Sequence, residues 1–235
     1  MTEKEIKKKT IVAIGDIHGL DYWRAIVERH PDCLTVFLGD YLDPYDAIPR
    51  SALLDNLRAI IDLKKSRPDD VVLLLGNHDM HYFNPYARMG TRFDFEIRKE
   101  ASSLFLENLH LFRYAYQEGN KVFTHAGISQ WWWLDDFHGD DTRPIAEQLN
   151  NPSEEQMSAL CRIGYARGGK YGRHGGIFWA DSSELWNPLH GYTQIVGHNP
   201  VPEITTREGS EGAKIVFCDS LCCGNYLFID ASGEF

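Results

Sequence analysis

The sequence has few cysteines, and their spacing fits neither a disulfide framework nor a zinc knuckle. The five cysteines include no CxxC pair and make an odd number, which argues against both kinds of site. The sequence leaves open whether the adjacent Cys222 and Cys223 form a redox-active pair. We favour simple packing, because cysteine commonly behaves as a small apolar side chain.

The sequence also lacks any long apolar run. Its first apolar stretch, residues 11–15, follows a charged start and is too short for a signal-peptide core or a membrane span. We therefore expect a cytoplasmic location and no association with membranes.

Basic residues are outnumbered by acidic ones. There are 24 lysines and arginines against 34 aspartates and glutamates, which gives a net charge of -10. This excess repels the phosphate backbone of nucleic acids, so bulk nucleic-acid binding is not expected. A phosphorylated substrate would need locally concentrated cations, supplied by basic side chains or by bound metal ions.

The composition is that of one globular domain. The chain has 235 residues, of which 43% are hydrophobic and 25% charged, and it contains no internal repeat, long linker or low-complexity tract. We predict a single domain over residues 1–235. Two segments, at about 80–110 and 131–190, depart from the regular pattern and are interpreted as insertions that wall a site.

Short apolar runs rich in β-branched residues predict buried strands. The runs are residues 10–15, 34–39, 71–76, 121–124, 193–197 and 214–218. Amphipathic helical patterns at 22–30 and 51–66 separate the first three runs, which predicts parallel crossover units. After about residue 112 the pattern favours antiparallel pairs, with Gly119 and Asn120 forming a hairpin turn.

Potential metal ligands follow five of these strands. They are Asp16 and His18, Asp40, Asn77, His125 and His198. Loops at the carboxyl ends of strands converge on one crevice, and carboxylate, imidazole and amide ligands suit manganese, iron or zinc. Any one of these residues is weak evidence, but five positions in order are specific.

The residues around these ligands form five blocks that resemble the calcineurin-like metallophosphoesterase superfamily. The blocks are GDIHG (15–19), GDYLD (39–43), GNHD (76–79), THAG (124–127) and GHNP (197–200). The resemblance spans roughly residues 10–230. THAGIS (124–129) and FWAD (178–181) are most similar to the phosphoprotein phosphatase branch, the serine/threonine phosphatases and their bacterial relatives.

The resemblance implies a mixed α/β (α+β) fold, a four-layer α/β/β/α sandwich of two mixed β-sheets with a two-metal site at the carboxyl ends of the strands. It also implies a ligand set for two divalent ions, for which we expect manganese, with iron or zinc as alternatives. Asp16 and His18 would bind the first ion and Asp40 would bridge both. Asn77, His125 and His198 would bind the second.

The same resemblance assigns the chemistry. A hydroxide held between the two ions would attack phosphorus. His78 would protonate the leaving oxygen, and Asp43 would orient His78 and keep it charged.

One block departs from the family pattern. Where the phosphoprotein phosphatases have an arginine that grips phosphate, Pro44 follows Asp43. The candidate replacements are Arg50, Arg88, Arg92, Arg167, Lys170 and Arg173. The run Trp131 to Trp133 is either a stacking platform for a base or a mixture of core packing and an exposed edge.

These features predict a metallophosphoesterase whose partner is a phosphorylated substrate, either a phosphoprotein or a nucleotide. The leading hypothesis is a phosphomonoesterase of the serine/threonine protein phosphatase type. The alternatives are a symmetrical dinucleoside polyphosphate (diadenosine tetraphosphate) hydrolase and, in another class, a non-catalytic metal-binding scaffold. The sequence leaves the oligomeric state open.

Overall fold

A computed structural model describes residues 10–235 and contains two five-stranded β-sheets. The charged start, on which the expectation about a signal peptide partly depends, lies outside these residues. The strands are β1 (Ile11–Ile14), β2 (Leu34–Phe37), β3 (Val71–Leu74), β4 (Phe112–Arg113), β5 (Ala115–Glu118), β6 (Lys121–Thr124), β7 (Thr193–Val196), β8 (Thr205–Glu208), β9 (Lys214–Phe217) and β10 (Leu227–Ile229).

Both sheets are mixed. The first has the order β10-β1-β2-β3-β4, in which only β10 runs antiparallel to its neighbour. The second has the order β5-β6-β7-β9-β8, with a parallel centre of β6, β7 and β9 and antiparallel edges. Gly119 and Asn120 form the predicted hairpin turn, since Glu118 pairs with Lys121. The expectation of antiparallel pairing after residue 112 was therefore right at the edges and wrong for the three central strands.

The two sheets pack face to face because their strands are apolar on both sides. Ala13 of β1 and Val36 of β2 point between the sheets, where they join Phe123 and Val216 of the second sheet in one buried cluster. Their neighbours in sequence point outward against helices, as Val12 does. Strands with two buried faces read as continuous hydrophobic runs, which explains why the sequence shows no alternation here.

Helices and insertions cover the outer faces, which confirms the predicted four-layer sandwich. The helices are α1 (Trp23–Arg29), α2 (Arg50–Ser66), α3 (Asn77–Met80), α4 (Arg98–Glu107), α5 (Ile145–Asn150) and α6 (Glu154–Leu160). In α2, Leu53, Leu57 and Ile60 form the buried stripe against the first sheet. Among residues 10–235, no helix is both long enough and apolar enough to cross a membrane.

Candidate metal centre

The predicted ligands meet at the carboxyl ends of five strands. Asp16 and His18 follow β1, Asp40 follows β2, Asn77 begins α3 after β3, and His125 and His198 follow β6 and β7. All six are buried. Because the strands from both sheets that carry these ligands end at the same edge of the sandwich, residues from 16 to 198 in sequence share one site.

Asp40 lies between two groups of ligands. Its Oδ2 is 3.6 Å from Nε2 of His18, and its Oδ1 is 3.5 Å from Nε2 of His125. Donor atoms of Asp16, His18 and Asp40 form one close group, and those of Asp40, His125 and His198 form another. Asn77 joins the second group, since its Oδ1 is 2.9 Å from Nε2 of His125. If two ions were bound, Asp40 would be the residue placed to contact both.

The histidine rings are oriented by backbone carbonyls. Nδ1 of His18 donates to the carbonyl oxygen of Leu42 and Nδ1 of His125 donates to that of Leu38, both at 2.8 Å. Nε2 of each ring is thereby left as the electron-pair donor facing the site, the arrangement expected for metal-binding histidine.

Backbone strain is concentrated at this site. Of the seven non-glycine residues with positive φ in the described chain, five belong to it: His18, Asp40, Asp43, Arg92 and His198. This left-handed conformation is unfavourable for residues with a side chain and persists where the surrounding structure enforces it, often at functional sites. The tight turns direct these side chains toward one another.

The site is poor in positive charge. Burial lowers the pKa of His18 and of His125 to about 3 and also lowers that of His198, so all three rings are neutral at pH 7. Burial and nearby carboxylates raise the pKa values of Asp16 and Asp40 well above their ordinary range. Asp219, a buried residue that the sequence analysis missed, contributes to the raised pKa of Asp16.

These residues fit a pair of divalent cations. Buried carboxylates that repel each other need a compensating positive charge, and neutral imidazoles are the form that binds metal. Nε2 of His198 is buried without a hydrogen-bond partner in the described chain, which is unfavourable unless a ligand accepts its electron pair. Asp16, His18, Asp40, Asn77, His125 and His198 are therefore suited to hold two ions.

His78 lies beside the ligand residues and is held by Asp43. Nδ1 of His78 is 2.7 Å from Oδ2 of Asp43, and both residues are buried. Asp43 also accepts a hydrogen bond from the hydroxyl of Tyr82 at 2.5 Å, and Nε2 of His81 lies 2.8 Å from its Oδ2. Burial raises the pKa of Asp43, but the hydrogen bonds from His78 and Tyr82 and the close approach of His81 outweigh burial and hold it below its usual value. Asp43 therefore stays ionised.

Asp79 fixes the loops that carry the ligands. Its carboxylate accepts hydrogen bonds from the backbone N–H groups of Gly76, Asp40 and Tyr41 at 2.8, 2.8 and 2.9 Å. It is completely buried, and burial raises its pKa to about 7. Asp79 belongs to the GNHD block, whose sequence pattern gave it no role, and the structure gives it a positioning one.

Two of the candidate arginines reach the site. Nη2 of Arg92 is 3.4 Å from Nε2 of His78, and its Nε donates to the carbonyl oxygen of Asp43 at 3.0 Å. Arg167 donates to Oδ1 of Asn199, the residue after His198, at 2.7 Å. The pKa of Asp219 is raised by burial to about 6, with Arg167 and Arg92 both acting to lower it. Both arginines thus act on the same carboxylate.

The other basic candidates are not brought to the ligands. Arg50 is occupied by Asp94, with Nε and Oδ2 2.7 Å apart. Arg88, Lys170 and Arg173 are exposed, and none of their described contacts involves a ligand residue.

The three tryptophans divide between two environments. Trp132 and Trp133 are completely buried in the core, while Trp131 is 46% exposed and stacks on His174, with ring centroids 5.3 Å apart. This is a mixture of core packing and an exposed edge, one of the two interpretations of the run. A stacking role for Trp131 toward a substrate stays a prediction.

Three further residues lie around the ligands: Asp219 and Tyr45 were not predicted from the sequence, and Trp179 was noted only as part of the FWAD block (178–181). Asp219 follows β9 just as the predicted ligands follow their strands, so the same strand-end signal was present. Tyr45 contacts His18 edge to face at 5.0 Å, and Trp179 contacts His198 in the same way at 5.8 Å. Tyr45 carries no sequence signal that separates it from a core residue, whereas Trp179 lies in the FWAD block (178–181).

Sequence comparison agrees with this geometry. A family model described as calcineurin-like phosphoesterase matches residues 9–221. The chain belongs to the calcineurin-like phosphoesterase family. Enzymes of this family hydrolyse phosphoric esters with a dinuclear divalent metal centre, so this metallophosphoesterase is expected to use the clusters that share Asp40. No curated protein sequence matches the chain significantly.

Two solved structures illustrate the shared fold. A cold-active protein-tyrosine phosphatase of a psychrophilic Shewanella species is 16% identical, with a TM-score of 0.59, covering 94% of this metallophosphoesterase and 75% of the other chain. A protein serine/threonine phosphatase from Saccharomyces cerevisiae with similarity to human PP5 is 18% identical, with a TM-score of 0.51, covering 91% and 68%. At these identities the similarity concerns the fold.

Proposed function

We propose that the protein is a metal-dependent phosphomonoesterase. The observation that carries this proposal is the position of Asp40, which belongs to two ligand groups at once, beside the buried His78–Asp43 pair. Two cation sites and an acid are the parts needed to cleave an ester with a poor leaving group.

Each part of the chain has a separate task in this proposal. When bound, two divalent ions lower the pKa of water toward neutrality and offset charge on phosphate; Mn²⁺ suits the mixed oxygen and nitrogen ligands, with iron or zinc as alternatives. His78 delivers a proton from Nε2 to the leaving oxygen, because its Nδ1 is engaged by Asp43. The ionised Asp43 stabilises the protonated ring before that transfer.

Arg92 and Arg167 supply the grip on phosphate that is missing after Asp43. Arg92 approaches from the first insertion and is held by the Asp43 carbonyl and by the ring of Tyr45, with its guanidinium carbon 3.7 Å from the ring centroid. Arg167 approaches from the second insertion and is held by Asp181 and Asn199. One guanidinium group can bind two phosphate oxygens at once, so one guanidinium from each side would orient the ester.

The serine/threonine protein phosphatase type is the first substrate class to test. Phosphoserine and phosphothreonine release alkoxides, which depend strongly on an acid such as His78. The second class is dinucleoside polyphosphate, proposed because Pro44 stands where an arginine would grip a monoester. The third outcome is a scaffold that binds metal without turnover.

Product analysis separates these functions. Metal-free protein is reconstituted with Mn²⁺ and incubated in parallel with a phosphothreonine peptide and with diadenosine tetraphosphate. Inorganic phosphate from the peptide is the expected result, and adenosine diphosphate as the main product would favour the second class. Metal binding with no turnover of these substrates or of a phosphotyrosine peptide would contradict the proposed function and favour the scaffold.

A further inference from the structure

An apolar cavity of about 280 Å³ opens directly beside the metal ligands. Two of its lining residues are the ligands Asp16 and His18. Its apolar wall is formed by Leu20, Pro44, Tyr45, Ile48 and Pro200, and Cys222 lies at its side. None of the roles assigned above to the site residues uses this cavity.

We propose that this cavity binds an aromatic ring attached to the ester oxygen of the substrate, so that the enzyme favours aryl phosphates such as phosphotyrosine among the monoesters. This inference rests on the proposed phosphomonoesterase function and, among its substrates, places phosphotyrosine ahead of phosphoserine and phosphothreonine.

The position of the cavity links its occupant to the reacting phosphate. The ring of His18 borders the cavity and also contacts His78 edge to face, with centroids 5.3 Å apart. A leaving oxygen protonated by His78 is therefore separated from the cavity only by the width of the His18 ring. The group on that oxygen is the part of the substrate that the cavity can receive.

The walls favour a flat, uncharged group. Tyr45 offers a ring face or edge, and Leu20 and Ile48 offer aliphatic contacts, which together suit an aromatic ring. The charged lining residues Asp16, Asp46 and Asp219 are all acidic, so a second phosphate in the cavity would be repelled. The charge pattern disfavours a dinucleoside polyphosphate in this position.

The size of the cavity fits one ring. If each non-hydrogen atom takes at most about the 30 Å³ of a water molecule, the roughly seven atoms of a phenoxy group need no more than about 210 Å³. A single aromatic ring therefore fits within the cavity.

Binding of two phosphonates to Mn²⁺-loaded protein tests the inference. Phenylphosphonate and methylphosphonate differ only in the group that would enter the cavity, and neither is hydrolysed. We expect calorimetry to show phenylphosphonate binding at least about tenfold more tightly, which corresponds to about 1.4 kcal/mol. Equal affinities, or no binding of either compound, would overturn the inference.

Neighbouring cysteines provide a matched pair of variants. Cys222→Phe fills the cavity and should reduce the phenyl preference below about threefold, whereas Cys223→Phe, at an exposed residue outside the lining, should retain it. Ile48→Ser, which makes one wall polar, should also weaken phenylphosphonate binding and leave methylphosphonate binding unchanged. An unchanged preference in both cavity variants, or tighter binding of a nucleoside 5′-phosphonate, would contradict the single-ring site.

A separate assay measures hydrolysis of phosphotyrosine and phosphothreonine peptides, so that failure of the cavity assignment can be distinguished from failure of the proposed function. Hydrolysis without any phenyl preference in binding would remove the cavity assignment and leave the proposed function intact. A phenyl preference without hydrolysis of either monoester would remove the proposed function and leave the cavity as a binding site.

Discussion

Nδ1 of His78 lies 2.7 Å from Oδ2 of Asp43, while Nε2 of the same ring faces Arg92 at 3.4 Å. The ring is thus held on one side by a carboxylate and exposed on the other to a cation. Burial and Arg92 lower the pKa of His78, and the Asp43 hydrogen bond raises it, with a net lowering. An ionic phosphate ester arriving between Arg92 and His78 would add negative charge and favour the protonated ring.

The His78→Asn variant should therefore retain its metal, and its kcat should fall more for alkyl phosphates than for aryl phosphates. Asparagine cannot donate a proton to a leaving alkoxide, so kcat for an alkyl phosphate should fall by about 100-fold or more. For an aryl phosphate that releases an acidic phenol, kcat should fall much less, because that leaving group needs little protonation. The measurement compares kcat for both esters with metal content determined on the same preparations. Equal losses on both esters would argue against the general-acid role.

Asp40→Asn should remove metal and activity together. The residue belongs to both ligand groups, and an amide replaces two anionic oxygens with one neutral oxygen. We expect the metal content of the purified variant to fall well below that of the parent, with activity near background. Full metal and full activity in Asp40→Asn would rule out a bridging ligand at this position.

Arg92→Ala should raise KM for monoesters by about 10- to 100-fold, because a hydrogen-bonded charge pair contributes on the order of 1.5–3 kcal/mol. Arg50→Ala is the matched comparison, since Arg50 is also a sequence candidate but is occupied by Asp94. Steady-state kinetics should show little change in KM for that variant. A larger increase in KM for the Arg50 variant than for the Arg92 variant would assign phosphate binding to Arg50 instead of Arg92.

Removal of metal should lower thermal stability. A ligand that binds only the folded state stabilises it in proportion to the logarithm of the ratio of its concentration to its dissociation constant, by about 4 kcal/mol when that ratio is a thousand. We expect chelation to lower Tm by several degrees and Mn²⁺ to restore it. Asp62→Asn, on the exposed face of α2, should keep this response, and a Tm insensitive to chelation would contradict a filled metal site.

The fold was largely predictable because its signals are local. Five of the strands are short apolar runs that end in glycine and a polar residue (β1, β2, β3 and β7) or in Thr124 and His125 (β6), and these ends mark both the strand and the site. The directions of the strands after residue 112 were not predictable in the same way. Parallel pairing of β6, β7 and β9 depends on contacts between segments that are distant in sequence, such as Lys121 of β6 with Thr193 of β7, and a buried strand looks the same in either orientation.

The parts of the site that lie away from the strand ends could not be read from the sequence. Arg92 and Arg167 were two of six basic candidates, and only their partners in space separate them from Arg50. The contact of Tyr45 with the site depends on which loop folds over His18. Such long-range placement has no periodicity, so sequence patterns carry no information about it.

Asp79→Ala tests whether the buried carboxylate holds the ligand loops in place. Removing it leaves the N–H groups of Gly76, Asp40 and Tyr41 without their acceptor, and buried unsatisfied donors cost about 1–3 kcal/mol each. We expect denaturant unfolding to show a loss on the order of 3 kcal/mol, with weaker metal binding because Asp40 is no longer fixed. The exposed change Asp62→Asn should alter stability by less than about 0.5 kcal/mol. Stability and metal affinity equal to those of the parent would show that the three N–H groups find other acceptors and that Asp79 does not position the site.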